Sequence, residues 1–179
     1  ISAILNITPD HLNRHHTMDC YIKTKEAITT NQTKDEVCVL NYEDEVLRAF
    51  GESAPVHVVW FSSVRKLAEG FYLDGEEIFY AHDGNTEKVI NVNDLNLLGR
   101  HNYENVMAAT AMSVNFGVPM EKIVEVLKRF QAVEHRIEYV TEKRGVRFYN
   151  DSKGTNPDAA IQGIRAMNRP TLLIGGGYD

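Results

Sequence analysis

Two hydrophobic periods alternate along this chain, and their alternation predicts an α/β fold. Ile4-Leu5-Asn6-Ile7 is an apolar strand that breaks into a polar loop at Thr8-Pro9, and a helix is predicted over about 18–29. The Val-Cys-Val-Leu run predicts a strand over 36–40, ended by Asn41-Tyr42-Glu43-Asp44 and followed by a short helix over 43–50. Residues 56–61 are apolar and β-branched, the signature of a buried strand. Residues 71–80 alternate around Asp74-Gly75, a strong hairpin signal, and a second turn at Asp83-Gly84-Asn85 extends it into a small antiparallel meander. Helices follow over 103–116 and 120–130; in the second, Ile123, Val126, Leu127 and Phe130 recur at helical spacing, which assigns them to a core. After Gln131-Ala132-Val133-Glu134 the pattern restarts as strand, turn at Arg144-Gly145, strand over 146–149, helix from Pro157 and strand over 171–174. Such a restart predicts two units, residues 1–132 and 133–179.

Composition narrows the class. With 43% apolar and 25% charged residues the chain has material for a core and none of the bias of disordered sequences. Its net charge of -6 is spread along the chain, which argues against a nucleic-acid partner. Cys20 and Cys38 form no Cys-x-x-Cys pair and read as free thiols in a reducing, cytoplasmic compartment. No apolar run approaches the ~18 residues of a membrane span.

Chemistry-bearing residues collect in four places. Asn150-Asp151-Ser152-Lys153-Gly154-Thr155-Asn156-Pro157 lies where a predicted strand hands over to a predicted helix. Strand ends and helix N-termini present free N–H groups and a positive dipole end, a setting for an anion. The same run is also good capping chemistry, with Thr155 or Asn156 as cap and Pro157 at the first helical position. The loop Thr8-Pro9-Asp10-His11-Leu12-Asn13-Arg14-His15-His16 is crowded with imidazoles, and Lys25 follows on the first helix. Gly99-Arg100-His101-Asn102-Tyr103-Glu104-Asn105 opens an Ala- and Met-rich helix, with Asn102 and Asn105 three apart on one face, where carboxamides could read a base edge. Glu134-His135-Arg136 is a charged break after the next helix.

In this order the four clusters resemble the Mur ligase family, ATP-dependent amide ligases of peptidoglycan precursor synthesis, over nearly the whole chain. The resemblance implies the back half of a central ATPase domain, carrying the meander, followed by the start of a Rossmann-like C-terminal domain. It implies that His11 binds magnesium and that Lys25, last residue of Tyr21-Ile22-Lys23-Thr24-Lys25, is carbamylated into an anionic metal ligand; both become catalytic residues. Asn102, Asn105 and His135 would meet adenine, Arg136 a phosphate, and Asp151 the ribose side or metal-bound water. Ser152, Lys153 and Thr155 would bind substrate. The motif at 150–157 resembles the D-glutamate-adding branch, apart from Gly154, where that branch often has Ala. ATP, UDP-N-acetylmuramoyl-L-alanine and D-glutamate are therefore the expected partners of a cytoplasmic, monomeric enzyme without nucleic-acid or membrane partners.

The implied chemistry suits these residue types. A carboxylate acylates poorly until phosphorylation by ATP turns it into an acyl phosphate that an amine can attack, and the charge that develops needs a divalent cation. An unmodified Lys25 ammonium would repel that cation, whereas a carbamate is a hard oxygen donor. No Gly-x-x-x-x-Gly-Lys-Ser/Thr occurs, although ligases of this kind wrap the ATP phosphates with such a loop. Ile1 reads as mid-strand and Gly175-Gly176-Gly177 follows a predicted strand, so both ends read as cut and the piece alone is expected to be inactive. The alternatives are a folylpolyglutamate synthetase-like ligase, which also activates a carboxylate for glutamate addition, and a non-catalytic nucleotide-binding module.

Overall fold

The computed structural model describes residues 1–9 and 12–177. Six strands form one mixed sheet in sequential order: β1 (Ser2–Ile4), β2 (Val37–Asn41), β3 (His57–Ser62), β4 (Gly70–Asp74), β5 (Glu77–His82) and β6 (Asn85–Asn91). β1 to β4 pair in parallel, and β4, β5 and β6 are antiparallel. The predicted meander is thus the continuation of the parallel sheet rather than a separate element. Between β1 and β2 run α1 (Leu12–His15) and α2 (Met18–Glu26), and α3 (Glu45–Ser53) connects β2 to β3.

β2 shows why the sheet is covered on both faces. All five of its residues are buried. Because side chains alternate across a strand, Val37 and Val39 join one core cluster while Cys38 and Leu40 join the other. The first cluster takes Val106, Met107, Ala108 and Ala111 of α4 (Arg100–Asn115) and Ile123's neighbours Val124 and Leu127 on α5 (Met120–Arg129). The second takes Tyr21 of α2 and Leu47 of α3. Asp44 caps α3 by accepting from the N–H groups of Val46 and Leu47, at 3.0 and 3.1 Å.

The β3–β4 pair is short, only Phe61 opposite Phe71 and Ser62 opposite Tyr72. It depends on Gly70, whose φ is +114° and where a Cβ would lie 2.3 Å from the Trp60 carbonyl oxygen. Only glycine admits both that conformation and that approach.

Beyond α5 the chain forms a two-stranded hairpin, β7 (Glu138–Lys143) and β8 (Val146–Asn150), then α6 (Pro157–Arg165). Asn96 fastens the end of α5 by donating to the Lys128 and Phe130 carbonyls at 2.9 and 3.3 Å. Residues 171–174, predicted as a strand, form none. Leu172 and Ile174 are 88% and 89% exposed, so the apolar run has no neighbouring strand to pair with among the described residues. A strand is defined by its partner's hydrogen bonds, which local composition cannot supply.

Thr110, fully buried on α4, is the one buried side chain among the described residues whose polar atom has no hydrogen-bond partner. Thr110→Val keeps the shape and removes an unsatisfied hydroxyl, so it is expected to stabilise the protein by about 1 kcal/mol. Denaturant unfolding would check this; a destabilised variant would mean that the hydroxyl is hydrogen-bonded in solution.

Candidate functional site

Polar side chains line the carboxyl ends of the parallel strands. Asn41, ending β2, donates to the Leu5 carbonyl at 3.1 Å, and the second oxygen of Asp44 accepts from the Ile7 N–H at 2.6 Å. Both contacts hold the segment that leads toward His11. Ser62 at the end of β3 donates to Glu43 at 2.7 Å, and Arg65 grips Glu43 with two bonds of 2.8 Å. Burial works to raise the Glu43 carboxyl, but the Arg65 and Ser62 hydrogen bonds and the charges of Arg65 and Arg48 outweigh it and hold the group below its ordinary range. Ser63 donates to Glu104 in the second turn of α4, so the row of polar contacts reaches that helix's start.

α4 starts at Gly99, with φ +92°. A Cβ there would lie 2.5 Å from the Ala166 Cβ and 3.0 Å from the His101 ring. The end of α6 is therefore docked against the beginning of α4, a contact that sequence reasoning missed. Asn102 is spent partly on this start, donating from Nδ2 to the Leu98 carbonyl at 2.7 Å. Asn105, three residues on, is exposed.

The second half of the site is assembled by backbone turns. His135 and Ile137 adopt left-handed φ values of 68° and 47°, the latter strained for a β-branched residue. Asp151 compensates: its Oδ1 accepts from the Ile137 N–H at 3.1 Å. Its other oxygen faces Gly163 on α6, where a Cβ would come within 2.3 Å. The Lys153 N–H donates to the His135 carbonyl at 2.9 Å. The structure thus brings His135, Arg136, Asp151 and Lys153 together, although fourteen residues lie between His135 and Asn150. Asn156, and not Thr155, caps α6 by accepting from the Ala159 N–H at 2.8 Å, with Pro157 at the first helical position. Ser152, Lys153 and Thr155 are exposed beside it.

Lys25 lies apart from this cluster, on α2 across the sheet from α4, its Nζ 5.3 Å from the Tyr21 ring centroid. His11 lies outside the described residues. Among those described, no three His, Cys, Asp or Glu side chains are placed to hold a metal ion. An ammonium over an aromatic ring is a cation–π pairing, so the described donors do not by themselves fit magnesium. Two open depressions on this side, of about 510 and 600 Å³, are lined by residues such as Phe50 and Cys20 and include none of the four clusters' expected ligand-binding residues.

His101 connects the two halves of the site. Burial pushes its imidazole below the ordinary range; Glu104 and Asp151 raise it, and Arg136 lowers it further. Between the ordinary value of 6.5 and the lower folded value, the unfolded chain holds more protons than the folded one. Stability is therefore expected to fall as pH drops through that window, and His101→Gln should flatten the slope. Denaturant unfolding of both proteins from about pH 8 to 5 would test it; equal slopes would remove His101 as the cause.

Comparison with known proteins places this geometry. Residues 1–113 match the family model described as the Mur ligase middle domain. A UDP-N-acetylmuramoylalanine--D-glutamate ligase from Lachnospira eligens is 61% identical over the whole chain, which spans 40% of that protein. The ligase of the same name from Clostridioides difficile is 46% identical, again with 40% of its length spanned. Among solved structures, MurF ligase from Thermotoga maritima in complex with ADP superposes with a TM-score of 0.65 at 20% identity, over 92% of this chain and 38% of that one. The MurF from Acinetobacter baumannii gives a TM-score of 0.67 at 22% identity, over 89% of this chain and 35% of that one. With more than half of its length matched by the middle-domain model, the chain belongs to the Mur ligase family.

Proposed function

We propose that the chain is the 1–132 back half of a central ATP-binding domain and the 133–179 start of a C-terminal domain of an ATP-dependent ligase. That ligase joins D-glutamate to UDP-N-acetylmuramoyl-L-alanine through an acyl phosphate, acting as a monomer in the cytoplasm. No helix among the described residues is long and apolar enough to cross a membrane. The observation that carries the reading is the folding of the Asp151–Thr155 loop onto His135 and Ile137, either side of Arg136, in a chain 61% identical to a ligase so named.

Each residue's part follows from its chemistry. Asn105 and the unspent oxygen of Asn102 offer an amide edge to adenine, and His135 a ring nitrogen. Arg136 can fork two phosphate oxygens. Asp151 holds the turn next to both, through the Ile137 N–H, and its carboxylate would serve the ribose side or metal-bound water. Ser152, Lys153 and Thr155 precede the capped start of α6, where a positive dipole end and an ammonium favour the carboxylates of D-glutamate. Magnesium belongs to the reading through His11 and a carbamylated Lys25, which would exchange a repelling ammonium for oxygen donors. A nucleotide held by Asn102 and Asn105 on one unit and by Arg136 on the other would tie the two units together.

In the full-length enzyme, Thr155→Ala is expected to raise the Michaelis constant for D-glutamate about tenfold, the equivalent of roughly 1.4 kcal/mol for one charge-assisted hydrogen bond, and to leave that for ATP nearly unchanged. Arg136→Ala should do the reverse. Steady-state kinetics with each substrate varied in turn decides it, and a Thr155→Ala enzyme with normal D-glutamate dependence would reduce the loop to helix capping.

Lys25→Ala is expected to abolish turnover, with partial rescue by short carboxylates, while Lys23→Ala stays active. The opposite result for the two lysines would put the metal-ligand assignment in the wrong register.

A further inference from the structure

The last residue of β8 has no part in the reading above, yet it touches the His135 ring. We propose that Asn150 is a positioning residue that decides which nitrogen of His135 carries the proton, so that His135 meets the nucleotide as an Nε2–H donor. The inference rests on His135 facing the nucleotide, and it adds to that reading the ring's tautomer and its cause.

The argument is one of donors and acceptors. Asn150 Oδ1 lies 3.1 Å from the Ser152 backbone N–H, a group that can only donate, so the carboxamide oxygen faces Ser152 and the amino group faces the other way. That amino group, Nδ2, lies 2.8 Å from His135 Nδ1. An amide nitrogen also can only donate, so Nδ1 must accept and carry no hydrogen. In a neutral imidazole the proton then sits on Nε2.

Among the described residues, Glu138 is the competitor in reach, because its carboxylate would favour a proton on Nδ1. Its Oε2 is 3.6 Å from Nδ1, too long for a hydrogen bond. The same oxygen is engaged by the His135 backbone N–H at 2.9 Å and by Asn150 Nδ2 at 3.4 Å. Glu138 thus orients Asn150 rather than taking the ring's proton.

The frame around the ring is fixed as well. Asn150 pairs with Glu138 across β7 and β8, and the left-handed backbone of His135 is held by the Lys153 N–H on its carbonyl. The His135 side chain remains half exposed, and Nε2 is the ring nitrogen that Asn150 does not use. An N–H there complements the acceptor ring nitrogens of a purine, whereas the other tautomer could face only the exocyclic amino group.

The test uses the full-length enzyme labelled with ¹⁵N-histidine, with two-bond proton–nitrogen correlation spectra at neutral pH. The signal that disappears in His135→Gln assigns the residue. Wild-type His135 is expected to show the Nε2–H pattern. Asn150→Asp replaces the amino group by a carboxylate oxygen while keeping an acceptor for Ser152, so the proton should move to Nδ1. The Michaelis constant for ATP should rise about fivefold or more, the loss of one hydrogen bond, with that for D-glutamate unchanged. An Nδ1–H pattern in the wild type, or an unchanged pattern in Asn150→Asp, overturns the proposal. A tautomer that switches with no change in ATP dependence overturns the donor role toward nucleotide. If His135→Gln itself leaves ATP dependence intact, it is the nucleotide reading of His135 that falls, and the Asn150–His135 hydrogen bond stands as a structural tie.

Discussion

The carboxylate of Asp151 carries the architecture of the candidate site. One oxygen accepts from the N–H of Ile137, whose φ of 47° is a conformation that a β-branched residue does not hold without compensation. Strain of this kind costs on the order of 1–3 kcal/mol and persists only where the surroundings over-determine it. Here the surroundings are the Asp151 bond and the burial of the Ile137 side chain. The other oxygen occupies the space that a side chain at Gly163 would fill, so the same residue sets how closely α6 approaches the loop. Were Asp151 lost, the turn at Ile137 and the approach of α6 at Gly163 would be released together.

That dependence explains how a loop and a turn so far apart in sequence make one surface. The hairpin returns the chain, but its exposed faces give it little core of its own, and a two-stranded hairpin alone is marginal in water. Its open end, opposite the Arg144-Gly145 turn, is therefore fastened by polar contacts: Asp151 to Ile137, Lys153 to His135, Asn150 to His135 and Glu138. The following helix α6 meets the start of α4 sterically, where Ala166 and the His101 ring both close on Gly99. Burial disfavours charge on that imidazole, and the two carboxylates nearby do not reverse the effect.

How legible this was follows from what each feature depends on. The buried strand at 37–41 and the turns at Asp74-Gly75 and Asp83-Gly84 are local in origin, and the sequence pattern places them within a residue or two. The β3–β4 pairing was not legible, because two register pairs and one glycine conformation leave no periodic trace. Residues 171–174 were misread for a related reason: their composition suits a strand, but pairing makes one. At the site, residue types narrowed the cap to Thr155 or Asn156 ahead of Pro157, and the fold decides for Asn156. The meeting of His135 and Arg136 with Asp151 came only through resemblance to a family, since no rule of spacing links a left-handed isoleucine to an aspartate across a hairpin. The docking of Ala166 against Gly99 and His101 escaped both routes.

The two halves of the proposed chemistry hang on helices that cover opposite faces of one sheet, α2 with Lys25 and α4 with Asn102 and Asn105. What connects the faces is the polar row over the carboxyl ends of the strands. Asp44 ties the β1 exit to the start of α3, Glu43 ties the β2 exit to Ser62 and Arg65, and Ser63 ties the β3 exit to Glu104 on α4. The first two links join neighbouring strand ends, so a shift of the segment before His11 relative to β2 would be felt at Asp44, whose other oxygen caps α3. Open α/β sheets take ligands at this edge because strand ends and helix N-termini converge there with their N–H groups unspent. In this chain much of that hydrogen-bonding capacity is committed to holding the edge itself, which leaves the flanks, the α2 helix on one side and the α4 start with the Asp151 loop on the other, as the places where side chains remain for a ligand.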